Sequence, residues 1–150
     1  MDLDQLKQKA TQCRAAGYNC SQTMILTFKD ALPQIKDLDE LAFTGFGGGF
    51  AGTGRVCGAV VGATALISAL KMDKNRPTYK DEVKSTLHSL YKDFEAKYQS
   101  LDCRGILSLN FMADGVKKDR CYADRHSLVW DPLILFVVEL VYNHAGLDKA

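Results

Sequence analysis

The chain is short of net charge, of long apolar runs and of histidine, and each shortage removes a class of function. Nineteen Lys and Arg against eighteen Asp and Glu leave a formal charge of +1, which gives no general basic field for a nucleic-acid backbone. The longest weakly polar window runs from Val56 to Leu70, between Arg55 and Lys71, and falls short of the ~20 residues that a membrane span needs. The opening Met1-Asp2-Leu3-Asp4-Gln5 is acidic and polar, unlike a signal or transit peptide. A soluble, cytoplasmic protein is expected, with neither nucleic acid nor membrane insertion among its partners. No segment shows the strict alternation of a half-exposed strand, and no internal repeat is present.

The three histidines build no Ser–His–Asp arrangement, and no paired carboxylates stand out. His88 reads as a polar helix residue, and His144 complements the dipole at the end of the last helix. His126, five residues after Cys121, is the one that could join a metal site.

What is present is an ordinary globular composition: 150 residues, 47% hydrophobic and 25% charged, expected to fold as one domain over residues 1–150. A chain of this length buries enough surface to need no disulfide staple. Its periodicity is helical. Leu3, Leu6, Ala10 and Cys13 recur at steps of three and four, with Asp2 or Asp4 to cap and Gly17 to end the helix. Asn19 caps a second helix carrying Met24, Ile25, Phe28 and Leu32, stopped at Pro33, and Asp37 to Phe43 fits a short third one. Gly58, Gly62, Ala65 and Ala69 put a stripe of small residues on one face of a helix from Cys57 to Met72. After a linker, Asp73 to Pro77, a weak capping box at Thr78 and Asp81 opens a helix with Val83, Leu87, Leu90, Phe94, Tyr98 and Leu101. Asp102 can cap a short turn from Cys103 to Leu109, and Asp114 to Arg125 reads as irregular. Asp131-Pro132 signals the start of a final helix, Leu133 to Ala145, closed by Gly146. That helix is apolar nearly all round from Leu133 to Tyr142, so it is either central or a homodimer contact. The fold class is all-α: a single-domain helical bundle with a glycine-rich loop leading into a central small-residue helix.

Eight of the twelve glycines fall between residues 45 and 62. Gly47, Gly49 and Gly52 satisfy the spacing G-x-G-x-x-G, but that pattern binds dinucleotides between a strand and a helix, and a helical pattern precedes it here. A phosphate loop fails as well, because Arg55 and Val56 stand where Lys and Ser or Thr are required. A tight loop with positive φ and close backbone packing is the better reading. Such a loop could also bring backbone N–H groups near sulfur.

Five cysteines remain to be explained. Cys13 follows Leu6 and Ala10 on an apolar face and reads as a small buried hydrophobe. Cys20, Cys57 and Cys103 stand at expected helix starts, where free N–H groups and the positive end of the dipole favour thiolate. Cys121 lies in a polar stretch. No two form C-x-x-C, so neither a zinc ribbon nor a thioredoxin-type motif is present locally. A low thiol pKa is expected at Cys57 above all, making it the first to alkylate and Cys13 the last. Cys20 is expected to share the effect more weakly, since Asn19 already takes one donor.

Gly17-Tyr18-Asn19-Cys20-Ser21-Gln22, Gly45-Phe46-Gly47-Gly48-Gly49, Cys57-Gly58-Ala59-Val60-Val61-Gly62-Ala63, Cys103-Arg104 and the late Cys121 together resemble the C-GCAxxG-C-C family. It comprises small proteins regarded as redox-active, named for four cysteines and the motif around the second. The resemblance implies a redox or metal centre made by Cys20, Cys57, Cys103 and Cys121, supported by Gly58, Ala59 and Gly62, with Cys13 outside the pattern. The four thiols are expected to converge.

Four such thiolates could hold an iron–sulfur cluster for electron transfer. The backbone of Gly47, Gly48, Gly49 and Gly58 would then lie near the sulfurs and tune the potential. A dithiol–disulfide carrier using two of them is the close variant, served by a redox partner protein. The same ligands suit structural zinc, and a helix-mediated interaction module with inert thiols is the remaining alternative.

Overall fold

The computed structural model describes the backbone of residues 1–107 and 120–149, and the side chains of 1–107 and 128–149. Helix α1 (Leu3–Ala15) opens on a capping box: Asp2 accepts from the N–H of Gln5 at 2.9 Å, and the Gln5 side chain accepts from the N–H of Asp2 at 2.9 Å. Helix α2 (Cys20–Lys29) repeats the device with Asn19 and Gln22, at 2.9 and 3.1 Å. Both boxes satisfy N–H groups that a helix start otherwise leaves free. They also fix where each helix begins, so Cys20 becomes the first residue of α2.

Two 3₁₀ turns follow, Pro33–Ile35 and Glu40–Phe46. The second replaces the expected short α-helix from Asp37 to Phe43. Asp39 caps it from the side, accepting from the N–H of Leu41 at 2.8 Å. The Thr44 hydroxyl turns back on the Leu41 carbonyl at 2.7 Å, while Asn19 and Gln22 of the α2 start donate to Thr44 at 3.0 and 3.1 Å. These ties draw the turn against α2.

Helix α3 (Gly58–Lys71) lies against α2, and its small stripe explains how closely. A Cβ placed on Gly62 would stand 2.6 Å from the Cβ of Met24, and one on Gly58 would meet the Phe46 carbonyl oxygen at 2.9 Å and the Cβ of Cys20 at 3.3 Å. The sequence needs glycine at these two places because another chain segment already fills the space.

Helix α4 (Tyr79–Tyr98) starts without the expected Thr78 side-chain cap; the Thr78 hydroxyl meets the Glu82 carboxylate instead, at 3.4 Å. It stops at Gln99, which takes the left-handed conformation at φ 65°. Leu101 therefore lies beyond the helix that its spacing suggested. Helix α5 (Cys103–Leu107) is short, and residues 108 and 109 of the expected turn lie outside the described residues. So does most of the stretch from Asp114 to Arg125 expected to be irregular, although the backbone from Arg120 is already helical.

The last helix, α6 (Arg120–His144), runs through Pro132 rather than starting there. Proline in a helix frees one carbonyl, four residues back. That residue is Leu128, which is 77% exposed, so water can take the place of the missing donor. Beyond it α6 is central: Leu133, Ile134, Val137, Val138 and Val141 are buried against α1, α3 and α4. Most of its apolar girth is covered by its own chain, with Leu135, Phe136 and Tyr142 half-buried. Glu139, the one charge between Leu133 and Tyr142, pairs with Lys7 at 2.7 Å, and His144 at the helix end meets Asp93 at 2.8 Å.

The protein is all-α, as its periodicity implies. Among the described residues the nearest thing to a sheet is one isolated antiparallel bridge, Val56 with Asp102.

Candidate functional site

That bridge organises the thiols. On one side of it the N–H of Cys57 donates to the Leu101 carbonyl at 2.8 Å; on the other the N–H of Cys103 donates to Arg55 at 2.8 Å. Cys57 thus stands opposite Leu101, and Cys103 opposite Arg55. The two cysteines are diagonal neighbours on one face of the ladder, a placement from which side chains can meet. Of its neighbours, Cys103 acts most strongly on the Cys57 thiol. The N–H of Arg104 adds a third bond, to the Gly54 carbonyl at 2.8 Å, so the start of α5 is tied to the exit of the glycine loop.

The loop holds this exit by closing on itself. The carbonyls of Gly45, Gly47, Gly48 and Gly49 accept from the N–H groups of Ala51, Gly52, Gly54 and Arg55 at 2.7–3.0 Å. Gly49 has φ +72°, and Phe50 and Ala51 follow it into the left-handed region. The N–H groups that bear on the Cys57 sulfur come from Ala59 and Val60, at the start of α3. A Cβ on Gly58 would meet the Cβ of Cys20 at 3.3 Å, while the carbonyls of Gly47, Gly48 and Gly49 are engaged in the loop's own closure.

Cys20 enters from α2. It is buried, and its charge state is coupled to that of Cys57. Burial, then Cys57, push its thiol up to about 12, against weaker pulls downward from Arg14 and from its own N–H group. Arg14 reaches over from α1, donating to the Tyr18 carbonyl at 3.0 Å and lying 3.9 Å from the Asp131 carboxylate of α6. On the same helix as Cys20, the hydroxyls of Ser21, Thr23 and Thr27 are buried with no hydrogen-bond partner among the described residues. Tyr98 stacks on Phe94 with ring centres 5.1 Å apart, and its phenol is raised by burial and by Cys57.

The expected low pKa of Cys57 is overturned. The thiol is raised well above its ordinary value, first by its hydrogen bond with Cys103 and then by complete burial. Ala59 and Val60 do pull it down, yet no capping hydrogen bond closes. Desolvation in an apolar interior outweighs two N–H dipoles. Cys13 differs from expectation too: it is half-buried rather than core, its thiol raised by burial and lowered by Lys9. The alkylation order accordingly reverses. In the reduced native protein, timed alkylation with peptide mapping is expected to label Cys13 well before Cys57, and unfolding should erase the difference. Equal native rates would show that Cys57 is open to solvent.

Three of the four expected site thiols are thus brought into one neighbourhood, at the starts of α2, α3 and α5. The fourth, Cys121, is on the first turn of α6, with its side chain outside the described residues, as is that of His126. Among the described residues no three His, Cys, Asp or Glu side chains are arranged to hold a metal ion. Arg14, Asp131 and Tyr98 were not legible as neighbours of the thiols, because each reaches them from a distant element with no local motif. No helix among the described residues is long and apolar enough to cross a membrane.

No curated protein and no solved structure matches the chain. Residues 18–127 match the C_GCAxxG_C_C family, described as "Putative redox-active protein". The match takes in Cys20, Cys57, Cys103 and Cys121 and leaves out Cys13, as the cysteine pattern implies. It spans more than two thirds of the sequence, and the chain belongs to the C_GCAxxG_C_C family.

Proposed function

We propose that Cys57 and Cys103 form a dithiol–disulfide couple, with Cys20 as the third thiol of the centre, and that the protein exchanges electrons with a disulfide-bearing partner. The observation that carries this reading is the diagonal placement of Cys57 and Cys103 across the Val56–Asp102 bridge, fixed by the backbone N–H groups of both residues. The balance is simple. The two thiols lose two protons and two electrons to form one S–S bond, and the partner's S–S bond takes up the same two electrons and two protons to become two thiols.

The roles follow from the environments. Cys57, its thiol raised and wholly buried, is the thiol that closes the bond; Cys103 is its partner sulfur. Cys103 is placed by backbone hydrogen bonds alone, to Arg55 through its own N–H and to Gly54 through that of Arg104. A pair preset in this way loses little freedom on oxidation, which favours bond closure within the pair. An iron–sulfur or zinc centre of the family's four cysteines would need Cys121 as well as Cys20, Cys57 and Cys103, and the dithiol reading requires only the pair that the bridge places together.

Oxidation of the reduced chain with diamide, followed by mapping, is expected to yield a Cys57–Cys103 disulfide as the main product. Cys103→Ser should abolish it, while Cys13→Ser should leave it unchanged. Iron or zinc bound in stoichiometric amount to anaerobically purified protein, with both thiols then resistant to diamide, would overturn the dithiol reading in favour of a metal centre.

A further inference from the structure

Away from the thiols, the second half of the small-residue stripe does something different from the first. Gly58 and Gly62 receive α2, but Ala65 and Ala69 are half-exposed and form the floor of a groove between α3 and α4. Leu38 and Val83 are its apolar walls, and its volume is about 600 Å³, within the range of small-ligand sites. Lys74, Lys80 and Lys84 stand around it, and among the described residues no carboxylate lines it. Among the described residues none of the three lysines is in an ion pair. Two neighbouring acids, Asp73 and Glu82, are drawn onto Arg76 instead, at 3.9 and 2.6 Å.

We propose that this groove binds a single-chain fatty carboxylate, its hydrocarbon tail along Ala65 and Ala69 and its head group among Lys74, Lys80 and Lys84. The two halves of the groove ask for different chemistry. An apolar floor of alanines, narrow because it lacks large side chains, is stabilised by a slim chain that removes it from water. Three uncompensated ammonium groups at the mouth favour one anionic end. A neutral hydrocarbon would use the floor only, and a small anion the lysines only. The site stands apart from the thiols: α3 rises 1.5 Å per residue, so Ser68 on the groove lies roughly 16 Å along the helix from Cys57. The proposal does not depend on the redox reading, and either can fail alone.

The test is an amide chemical-shift titration of the full reduced chain with sodium dodecanoate below its micelle concentration, beside dodecan-1-ol and sodium acetate. Dodecanoate is expected to saturate, moving the amides of Leu38, Ala65, Ala69 and Val83. Dodecan-1-ol should bind about tenfold more weakly, since it lacks the charge-assisted contacts, and acetate should not bind measurably. The exposed double substitution Lys80→Glu with Lys84→Glu should weaken dodecanoate about tenfold and leave the alcohol unchanged. Ala69→Trp, which fills the floor, should remove both. Equal affinity for alcohol and carboxylate, shifts scattered outside the groove, or indifference to the lysine reversal would overturn the proposal. So would binding to phosphatidylglycerol vesicles without binding to monomeric dodecanoate, which would make the surface a membrane contact.

Discussion

Gly49→Ala is expected to destabilise the protein by at least about 3 kcal/mol and to stop the Cys57–Cys103 disulfide from forming, although residue 49 touches no thiol. Two effects combine. Gly49 has φ +72°, where a side chain adds roughly 1–3 kcal/mol of strain. A Cβ there would also fall 2.5 Å from the Arg55 nitrogen, 2.8 Å from the Gly54 carbonyl carbon, and against the Arg55 carbonyl oxygen. Those atoms are backbone and cannot rotate away. They are also the atoms that hold the site, since the Arg55 carbonyl accepts from Cys103 and the Gly54 carbonyl from Arg104. Relief of the clash must displace the acceptors on which the Cys103 position depends. Against a typical total of about 5–15 kcal/mol, the loss is large. Gly45→Ala is the control, because a Cβ there meets nothing within 4 Å and should change stability by less than about 1 kcal/mol. Urea unfolding of both variants, with thiol mapping after diamide, checks the pair of effects. If Gly49→Ala behaves like Gly45→Ala, the loop does not hold the closed form from which Cys103 is positioned.

The features legible in the sequence are those that a few neighbouring residues decide. Caps at Asp2 and Asn19 were legible because a cap is decided within four residues of the helix start; the Gln5 and Gln22 halves of the two boxes were not read. The small stripe on α3 was legible as a face for close approach, since its spacing of four, three and four fixes the face whatever packs there. Elements decided by distant partners were read wrongly. Hydrophobic spacing carries α4 on to Leu101, yet the helix ends at Tyr98, and the Leu101 carbonyl is used by Cys57 across the bridge. Asp131-Pro132 has the chemistry of a helix start, but proline is also tolerated inside a helix whose freed carbonyl faces water.

The candidate site divides the same way. The cysteine order and the motif around Cys57 singled out four thiols, three of which share one neighbourhood, and the placement of Cys20, Cys57 and Cys103 at helix starts was correct. The ionisation of Cys20 and Cys57 was not, because helix-start N–H groups can be read locally and desolvation cannot. The N–H groups of Ala59 and Val60 act on Cys57 in the expected direction and lose to its hydrogen bond with Cys103 and to burial. A helix N-terminus activates a thiol when water reaches it; enclosed in a core, the same geometry keeps the proton on.

That enclosure should appear as a steep loss of stability at alkaline pH. An unfolded thiol ionises near ~8.5, whereas burial and Cys57 hold the Cys20 thiol up at about 12 in the folded chain, and Cys57 is raised in the same sense. Below pH ~8.5 both states keep these protons and stability is fully present. Above it the unfolded chain gives them up while the folded chain does not, so the unfolded state binds fewer protons and stability falls as pH rises, until the folded pKa is reached. Each such thiol contributes a slope of about 1.4 kcal/mol per pH unit, so two of them give roughly 2.7 kcal/mol per unit over the window that starts near pH 8.5. Urea unfolding under anaerobic reducing conditions at pH 7.5, 9 and 10 measures it; raised Tyr98 adds a smaller slope of the same sign only as pH nears the unfolded tyrosine value of about 10. Cys20→Ala, which removes one proton site, should flatten the dependence by about 1.4 kcal/mol per unit whatever its effect on stability at pH 7.5. If Cys20→Ala and the native sequence lose stability in parallel between pH 9 and 10, the Cys20 thiol ionises freely in the folded protein, and the enclosed, proton-holding centre is wrong.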